Sequence, residues 1–305
     1  MTSFRAITDG LQFPEGPIAM PDGSVILVEI ARGTLTRVMP DGRIEVIATP
    51  GGGPNGAAIG PDGACYICNN GGFEWTESEA AGLRPIHVAS DYTSGSIDRV
   101  NPDTGEWSRL YTECDGNKLN GPNDIVFDKD GNFYFTDLGK TRTRDMDLGF
   151  VYFAKPDGSL IKQIVDNVNT ANGTSLSPDE KTLYFAETTP GRLWAVDIES
   201  PGVVKRPPGM PGRLVHGASG YQLFDSMAVD VEGRVCVATI INGGIMSASA
   251  DGEIVEHFPT DDYLTTNICF GGVGLETAYI TLSSSGRLVT TKWPRPGHPL
   301  NFLNT

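Results

Sequence analysis

Short apolar segments separated by tight turns run along the chain, and the clearest pair lies between Leu119 and Asp137. A polar residue, Asn123, stands before the first apolar segment, Ile125 to Phe127, and the turn Lys129-Asp130-Gly131 leads into the second. Asp-Gly between two apolar segments is the turn signal of a β-hairpin. The stretch therefore predicts a hairpin whose first strand begins beside a polar side chain.

This pattern occurs six times, and in each copy a polar residue stands seven positions before a turn residue. We call the polar members the mouth residues; with their turn residues they are Glu15 and Asp22, Asn55 and Asp62, Asn123 and Asp130, Asn172 and Asp179, Asp225 and Glu232, and, more loosely, Asn267 and Gly274. Successive mouth residues lie 40 to 68 positions apart. Repeats of this length built from strands and turns are typical of β-propeller blades.

A second landmark inside each repeat is a Gly followed two positions later by an apolar residue. It occurs at Gly33, Gly95, Gly149, Gly191, Gly243 and Gly286. This Gly should open a third strand, and turns such as Pro40-Asp41-Gly42 should lead into a fourth. The sequence thus predicts an all-β, six-bladed β-propeller with four antiparallel strands per blade, as a single domain over residues 1–305. We expect residues near Phe4 to Thr8 to complete the sixth blade, because such closure removes a free sheet edge.

Composition and charge narrow the class of protein. The 38 Gly and 21 Pro, with no sustained 3.6-residue apolar period, predict little helix. The formal charge of −15 argues against nucleic acid or an anionic membrane as a partner, since both require clustered Lys and Arg. Five Cys and an N-terminus without an apolar segment favour reduced thiols and a cytoplasmic location. Cys65 and Cys68 are expected on opposite faces of a strand rather than in a zinc site.

The geometry of a propeller predicts that the mouth residues lie close together and can bind a ligand. The first strand of each blade lines the central channel, so five mouth residues should meet near the axis: Glu15, Asn55, Asn123, Asn172 and Asp225. Carboxylates and amide carbonyls form a hard-oxygen ligand set that suits Ca²⁺ or, less well, Mg²⁺ or Mn²⁺. The alternative is that each residue only caps a turn. Glu15 argues against this, because Glu has little turn preference and would repel Asp225 in a narrow channel without a cation.

Four motifs, in this order along the chain, resemble the senescence-marker-protein (regucalcin), gluconolactonase and luciferin-regenerating-enzyme family of six-bladed propellers. They are Phe13 to Pro17, Gly121 to Asp124, Ala171 to Asp179 and Phe224 to Asp230. The resemblance implies one divalent metal held by Glu15, Asn172 and Asp225. Asn123 would be a fourth ligand or a substrate contact. Ca²⁺ is the favoured metal, and Mg²⁺, Mn²⁺, Zn²⁺ and Fe²⁺ stay open.

The resemblance also implies an activity, the hydrolysis of a small-molecule lactone to a hydroxy acid. The cation would polarise the lactone carbonyl. Either Asp225 would act as the base that activates the attacking water, or a metal-bound hydroxide would be the nucleophile. Two other functions stay open: a phosphotriesterase-like hydrolase on the same metal site, and a non-catalytic calcium-binding propeller. Two positions depart from the family pattern. Gly121 stands where some sugar-lactonase members carry Arg, so a sugar-acid substrate is not implied, and Ser226 stands where Gly is frequent.

The second repeat is longer than the others between its turn residue and its landmark Gly. Asp62 and Gly95 lie 33 positions apart, against 11 or 12 in the first, fourth and fifth repeats. The surplus, Gly71 to Ser94, should lie on the side of the mouth residues, because the second strand of a blade returns to that side. We expect an aromatic-bearing lid rather than the alternative, a disordered surface insertion. The candidate substrate-binding residues are Asn55, Trp75, Tyr92 and Asn123.

Overall fold

Six β-sheets surround a central axis in the computed structural model, which describes residues 4–304. The first strand, β1 (Arg5–Thr8), precedes blade one and pairs within blade six. Blade one consists of β2 (Pro14–Ala19), β3 (Val25–Glu29), β4 (Thr34–Val38) and β5 (Ile44–Ala48). Blade two begins with β6 (Pro54–Ile59) and β7 (Cys65–Asn69), is interrupted by the hairpin β8 (Phe73–Ser78) and β9 (Gly82–Val88), and ends with β10 (Ser96–Val100) and β11 (Trp107–Tyr111).

The remaining blades follow the same order. A short hairpin, β12 (Glu113–Cys114) and β13 (Asn117–Lys118), leads into blade three, which contains β14 (Pro122–Phe127), β15 (Phe133–Asp137), β16 (Gly149–Ala154) and β17 (Ile161–Val168). Blade four contains β18 (Ala171–Leu176), β19 (Thr182–Glu187), β20 (Arg192–Ser200), β21 (Val203–Lys205) and β22 (Arg213–Gly217). Blade five contains β23 (Leu223–Val229), β24 (Val235–Ile240), β25 (Gly244–Ala248) and β26 (Val255–Pro259). Blade six contains β27 (Thr265–Gly271), β28 (Thr277–Leu282) and β29 (Arg287–Lys292).

The predicted all-β, six-bladed propeller with four antiparallel strands per blade is confirmed. In every blade the landmark Gly opens the third strand or directly precedes it. Blade four differs slightly, because both β21 and β22 pair with the third strand, β20. A short 3₁₀ helix (Val273–Leu275) replaces the hairpin turn of blade six, which explains why Asn267 and Gly274 matched the repeat loosely. In the described part of the chain no helix is long and apolar enough to cross a membrane.

Closure of the ring by the N-terminal strand is also confirmed. β1 pairs antiparallel with β29, Arg5 opposite Thr290 and Ala6 opposite Val289. The Leu11 N–H, just beyond β1, donates to the Gly286 carbonyl at 3.0 Å. Blade six thus obtains its fourth strand from the other end of the chain.

The core lies between neighbouring blades, where large side chains from facing sheets interdigitate. Tyr66 of blade two packs on Phe127 and Phe133 of blade three, with ring centroids 5.1 and 5.9 Å away. Cys65 and Cys68 face different interblade cores, as expected from strand alternation, and all five thiols are free and buried. This packing places the innermost strands side by side around the axis, in the order β2, β6, β14, β18, β23, β27 and back to β2.

The C-terminal segment crosses the far end of the central channel. The His298 N–H donates to the Val229 carbonyl of blade five at 2.9 Å. The Asn301 Nδ2 donates to the Phe127 carbonyl of blade three at 3.2 Å and to Glu180 of blade four at 2.6 Å. This segment does not cover the opposite end of the channel, where the mouth residues lie. A site can therefore form at that end.

Candidate active site

The mouth residues lie at the starts of the six innermost strands, and all six are buried. Each of these strands has a register shift in its pairing with the second strand of its blade. The shifts lie between Glu15 and Ile18, Pro54 and Ala57, Pro122 and Ile125, Ala171 and Thr174, Phe224 and Met227, and Thr265 and Asn267. Such irregularities re-aim side chains and interrupt pairing beside functional sites. The same local distortion therefore recurs beside the polar residue of every blade.

Glycines bring the mouth residues of neighbouring blades close to one another. Three mouth residues are followed by Gly, and each of these Gly residues packs against the backbone of the mouth residue in the next blade. An added Cβ would lie 2.4 to 2.6 Å from that neighbour's carbonyl oxygen in three pairs: Gly16 and Asn55, Gly56 and Asn123, and Gly173 and Asp225. Side chains at these positions would push the blades apart, so the close ring depends on Gly.

Glu15 is held in place from both sides. Its Oε2 accepts hydrogen bonds from the Asn267 Nδ2 of blade six at 2.7 Å and from the Gly16 N–H at 2.8 Å. Burial raises its pKa to about 7, even though these hydrogen bonds favour the charged form. The carboxyl group is thus oriented for contact with a ligand in the ring while its charge is poorly solvated.

Asp225 lies close to the carboxyl groups of Glu15 and Asp124. Burial raises its pKa well above the ordinary value, and the nearby carboxylates Glu15 and Asp124 raise it further. Within residues 4–304, no three His, Cys, Asp or Glu side chains are grouped so that they could hold a metal ion. The amide oxygens of the ring are the other candidate ligands.

Two amide oxygens of the ring lack hydrogen-bond partners. Asn123 Oδ1 and Asn172 Oδ1 are buried and accept no hydrogen bond in the described structure. The Asn172 Nδ2 donates to Thr188 Oγ1 at 2.9 Å, which fixes the orientation of the amide. A buried acceptor without a partner costs free energy, and a hard cation would satisfy both oxygens together with the carboxylates. The donor set thus fits a divalent cation such as Ca²⁺.

Asp124, which is not among the site residues predicted from the sequence, also lies at the ring. Its Oδ2 accepts the Thr174 N–H of blade four at 3.0 Å, and its Oδ1 accepts the Ile125 N–H at 3.0 Å. Burial and the charge of Glu15 raise its pKa to about 7. The available signal was an acidic residue directly after Asn123, at the start of a strand that continues with the apolar residues Ile125 to Phe127.

The long insertion of blade two is an ordered lid on the side of the mouth residues. We call Gly71 to Ser94 the lid; it contains the hairpin β8–β9. Its apolar side chains pack against residues beside the innermost and second strands of blades one, five and six, in the cluster Phe13, Ile30, Phe73, Trp75, Leu83, Ile240, Tyr263 and Leu264. The Trp75 ring lies 5.0 Å from that of Phe13. A disordered insertion, the alternative reading, does not describe this segment.

The tip and the base of the lid are both attached to the propeller. At the tip, the Tyr263 hydroxyl of blade six donates to the Ala81 carbonyl at 2.6 Å, and the Leu83 N–H donates to the Ser284 carbonyl at 3.1 Å. At the base, the Tyr92 hydroxyl donates to the Asn120 carbonyl at 2.8 Å. Trp75 and Tyr92, which the sequence suggested as substrate-binding residues, therefore have packing or hydrogen-bonding partners within the protein.

The structure explains why position 121 carries Gly. An added Cβ there would lie 2.6 Å from the carbonyl oxygen of Gly139, in the loop after β15. A longer side chain such as Arg would displace that loop. Ser226, the other residue that departs from the family pattern, is fully buried. A Cβ added at Gly173 would lie 2.7 Å from the Ser226 Cα. Asp225 keeps its place in the ring beside this Ser.

Comparison with known proteins shows a family model and several proteins that this chain resembles. The model of the SMP-30/Gluconolactonase/LRE-like region matches residues 13–284. A gluconolactonase of Zymomonas mobilis is 26% identical over 319 residues, covering 95% of this chain and 82% of that protein. Lactonase drp35 of Staphylococcus haemolyticus is 31% identical over 241 residues, covering 78% of this chain and 66% of that protein. The crystal structure of a calcium-binding protein, regucalcin, from Agrobacterium tumefaciens has a TM-score of 0.74 at 18% identity, covering 98% of each chain.

Proposed function

The chain belongs to the SMP-30/gluconolactonase/LRE-like family, and we propose that it is a metal-dependent lactonase acting as one propeller domain. The observation that carries the proposal is the buried ring of mouth residues. In it, carboxyl groups with raised pKa values lie with amide oxygens that have no protein partner. Such a ring is costly unless a cation occupies it.

Glu15, Asn172 and Asp225 would hold the cation, and Asn123 would be a fourth ligand or a substrate contact. A bound divalent cation, for which we propose Ca²⁺, would act as a Lewis acid toward the lactone carbonyl. The hard, mixed carboxylate and amide oxygen set supports Ca²⁺ over softer metals.

The side chains of the ring would orient the metal ligands and accept a proton from water. Asn267 and the Gly16 N–H keep the Glu15 carboxylate oriented, and Thr188 keeps the Asn172 amide oriented. The Asp225 carboxylate would accept a proton from the attacking water. As a ligand of the cation Asp225 would be charged near neutral pH, because a bound cation lowers the pKa of a carboxyl group. As the ring C–O bond breaks, Asp225 would pass this proton to the leaving ring oxygen, which releases a hydroxy acid.

We expect acid release from lactones only when the protein carries a divalent cation. Purified protein would be stripped with chelator, reloaded with Ca²⁺, Mg²⁺, Mn²⁺ or Zn²⁺, and assayed with a pH indicator against sugar-acid and aliphatic lactones. Organophosphate triesters would form a second panel. Turnover of triesters but not of lactones would indicate that the protein is a phosphotriesterase instead. Metal binding measured by calorimetry, without turnover in either panel, would leave a non-catalytic metal-binding propeller.

Shortening the lid is expected to change substrate preference. Gly72 to Asp91 would be replaced by a short turn, which leaves the blade strands β7 and β10 intact. The lid covers the mouth side, so its loss should raise KM for the preferred lactone and flatten the preference across a panel. A modest fall in Tm is also expected, because Phe13, Ile30 and Leu264 lose apolar contacts. Identical kinetics across the panel, with unchanged metal affinity, would show that the lid has no part in substrate selection.

A further inference from the structure

Lys140 is a buried cation that the proposed chemistry does not use. It lies in the loop after β15 of blade three, and its side chain is among the largest fully buried ones. Burial lowers its pKa to about 8, despite the opposing influence of Asp137 and Asp147. Within residues 4–304 neither of these carboxylates is ion-paired with Lys140; Asp147 pairs with Arg142 instead. The ammonium group must therefore be stabilised by other partners.

Its partners belong to the base of the lid. Lys140 Nζ donates to the Gly72 carbonyl at 3.0 Å and lies 3.4 Å from Asn70 Oδ1. It also lies over the rings of Phe73 and Tyr92, 4.2 and 4.9 Å from their centroids. Gly72 and Phe73 are at the start of the lid and Tyr92 is near its end. One cation thus contacts both ends of the insertion.

The chemistry of these contacts makes the link specific. An ammonium removed from water needs acceptor oxygens and negative ring faces, and its attraction to aromatic rings is strongest when it is desolvated. An apolar side chain of similar length, such as that of Met, could fill the space but could neither donate to Gly72 nor hold the two rings electrostatically. The contacts therefore require the charge of Lys140, in addition to its volume.

We propose that Lys140 is a positioning residue that holds the base of the lid over the ring of mouth residues. It would act through Gly72, Phe73 and Tyr92, without touching the reacting atoms. Its effect on lactone turnover rests on the proposed function. Its effect on the lid can be measured without any assay of activity, so the two ideas can fail separately.

The test compares Lys140→Met with a matched control, Arg142→Met, from the same loop. Arg142 is partly exposed and pairs with Asp145 and Asp147 rather than with the lid. Hydrogen exchange would be followed in lid peptides covering residues 73–88 and in core peptides covering β14. We expect exchange of the lid amides to accelerate about tenfold or more in Lys140→Met, with β14 unchanged, because a local opening becomes easier. Arg142→Met should leave both unchanged.

Kinetics provide a second readout on the metal-loaded protein. Lys140→Met should raise KM severalfold with kcat within about twofold, since a mobile lid weakens substrate binding more than chemistry. Phe73→Leu, which keeps an apolar side chain but removes a ring face, should reproduce part of the effect. The double variant should show less than the sum of the two, because both changes remove the same contact.

Three results would overturn the proposal. They are unchanged lid exchange in Lys140→Met, the same acceleration in Arg142→Met, and equal acceleration in the lid and in β14, which would mark a general loss of stability. Should Lys140→Met fail to fold, Phe73→Leu carries the exchange test from the lid side. Normal lid exchange in that variant would equally contradict the assignment. If no lactone is turned over, the exchange results still decide the role of Lys140.

Discussion

Replacing Asp225 with Asn is expected to abolish lactone hydrolysis and, in the metal-free protein at pH 8, to raise the Tm. The loss of activity, roughly 10²- to 10⁴-fold in kcat/KM, follows from removing the proposed base and one metal ligand. The gain in stability follows because burial, and after it the negative charges of Glu15 and Asp124, raises the pKa of Asp225 and so disfavours its charged form in the folded protein. Removing one such charge should stabilise the metal-free fold by roughly 1–3 kcal/mol.

The pH dependence of stability has a definite sign. A carboxyl group whose pKa is raised on folding contributes stability that is present below its unfolded pKa and is lost as pH rises through its folded pKa. For Glu15 this window runs from 4.5 to about 7. Metal-free wild-type protein should therefore lose stability between these pH values, and metal should restore it at pH 8. The curve for Asp225→Asn should be flatter.

Calorimetry and thermal unfolding, with and without chelator at pH 5 and pH 8, would measure these effects. Asp41→Asn is the matched control, because it makes the same charge change at an exposed turn residue. It should alter neither activity nor the pH profile. Full activity of Asp225→Asn after exhaustive chelation would refute metal-assisted catalysis at this ring. A metal-free Asp225→Asn protein less stable than metal-free wild type at pH 8 would refute the electrostatic account.

Deleting the first ten residues is expected to lower the Tm by roughly 5–15 °C for a chain of this size. The deletion removes β1 and leaves the ladder of β29 unpaired on one side. It also removes Phe4 and Ile7, which pack on the buried clusters around Val289 and Leu288. Their burial accounts for roughly 2–5 kcal/mol of unfolding free energy.

Arg5→Ala is the control for this deletion, because Arg5 is exposed and the substitution leaves the strand in place. Thermal unfolding followed by circular dichroism should show a change of less than about 1 °C for Arg5→Ala, as is usual for surface substitutions. An unchanged melting curve after deletion of β1 would mean that its pairing with β29 contributes nothing to the stability of the ring.

Local sequence signals were sufficient to predict the blades because, apart from β1 in blade six, each blade is built from strands that are neighbours in the sequence. The Asp130-Gly131 turn and the Gly95 landmark act on adjacent residues, so their effect is visible in the chain. The convergence of Glu15, Asn172 and Asp225 followed from the symmetry of a propeller and needed no knowledge of individual contacts.

Contacts between distant segments could not be derived in the same way. The docking of the lid on Phe13 and Leu264 depends on the path of a hairpin across three blades, which no local pattern specifies. The close approach of Gly121 to Gly139 and the contacts of Lys140 are likewise tertiary. Asp124 was overlooked because a charged residue in an apolar strand shows its burial only once the neighbouring blades surround it.

The pairing of β1 with β29 also determines when the protein can finish folding in the cell. During synthesis β1 leaves the ribosome well before its partner strand, because Arg5 and its partner Thr290 lie 285 positions apart. Hairpins of single blades need only short loops to close and can form early, but the ring closes by a contact of very high sequence separation. Until then the apolar face of blade one stays exposed on the nascent chain. We expect this late closure to be the stage at which chaperones matter most for yield.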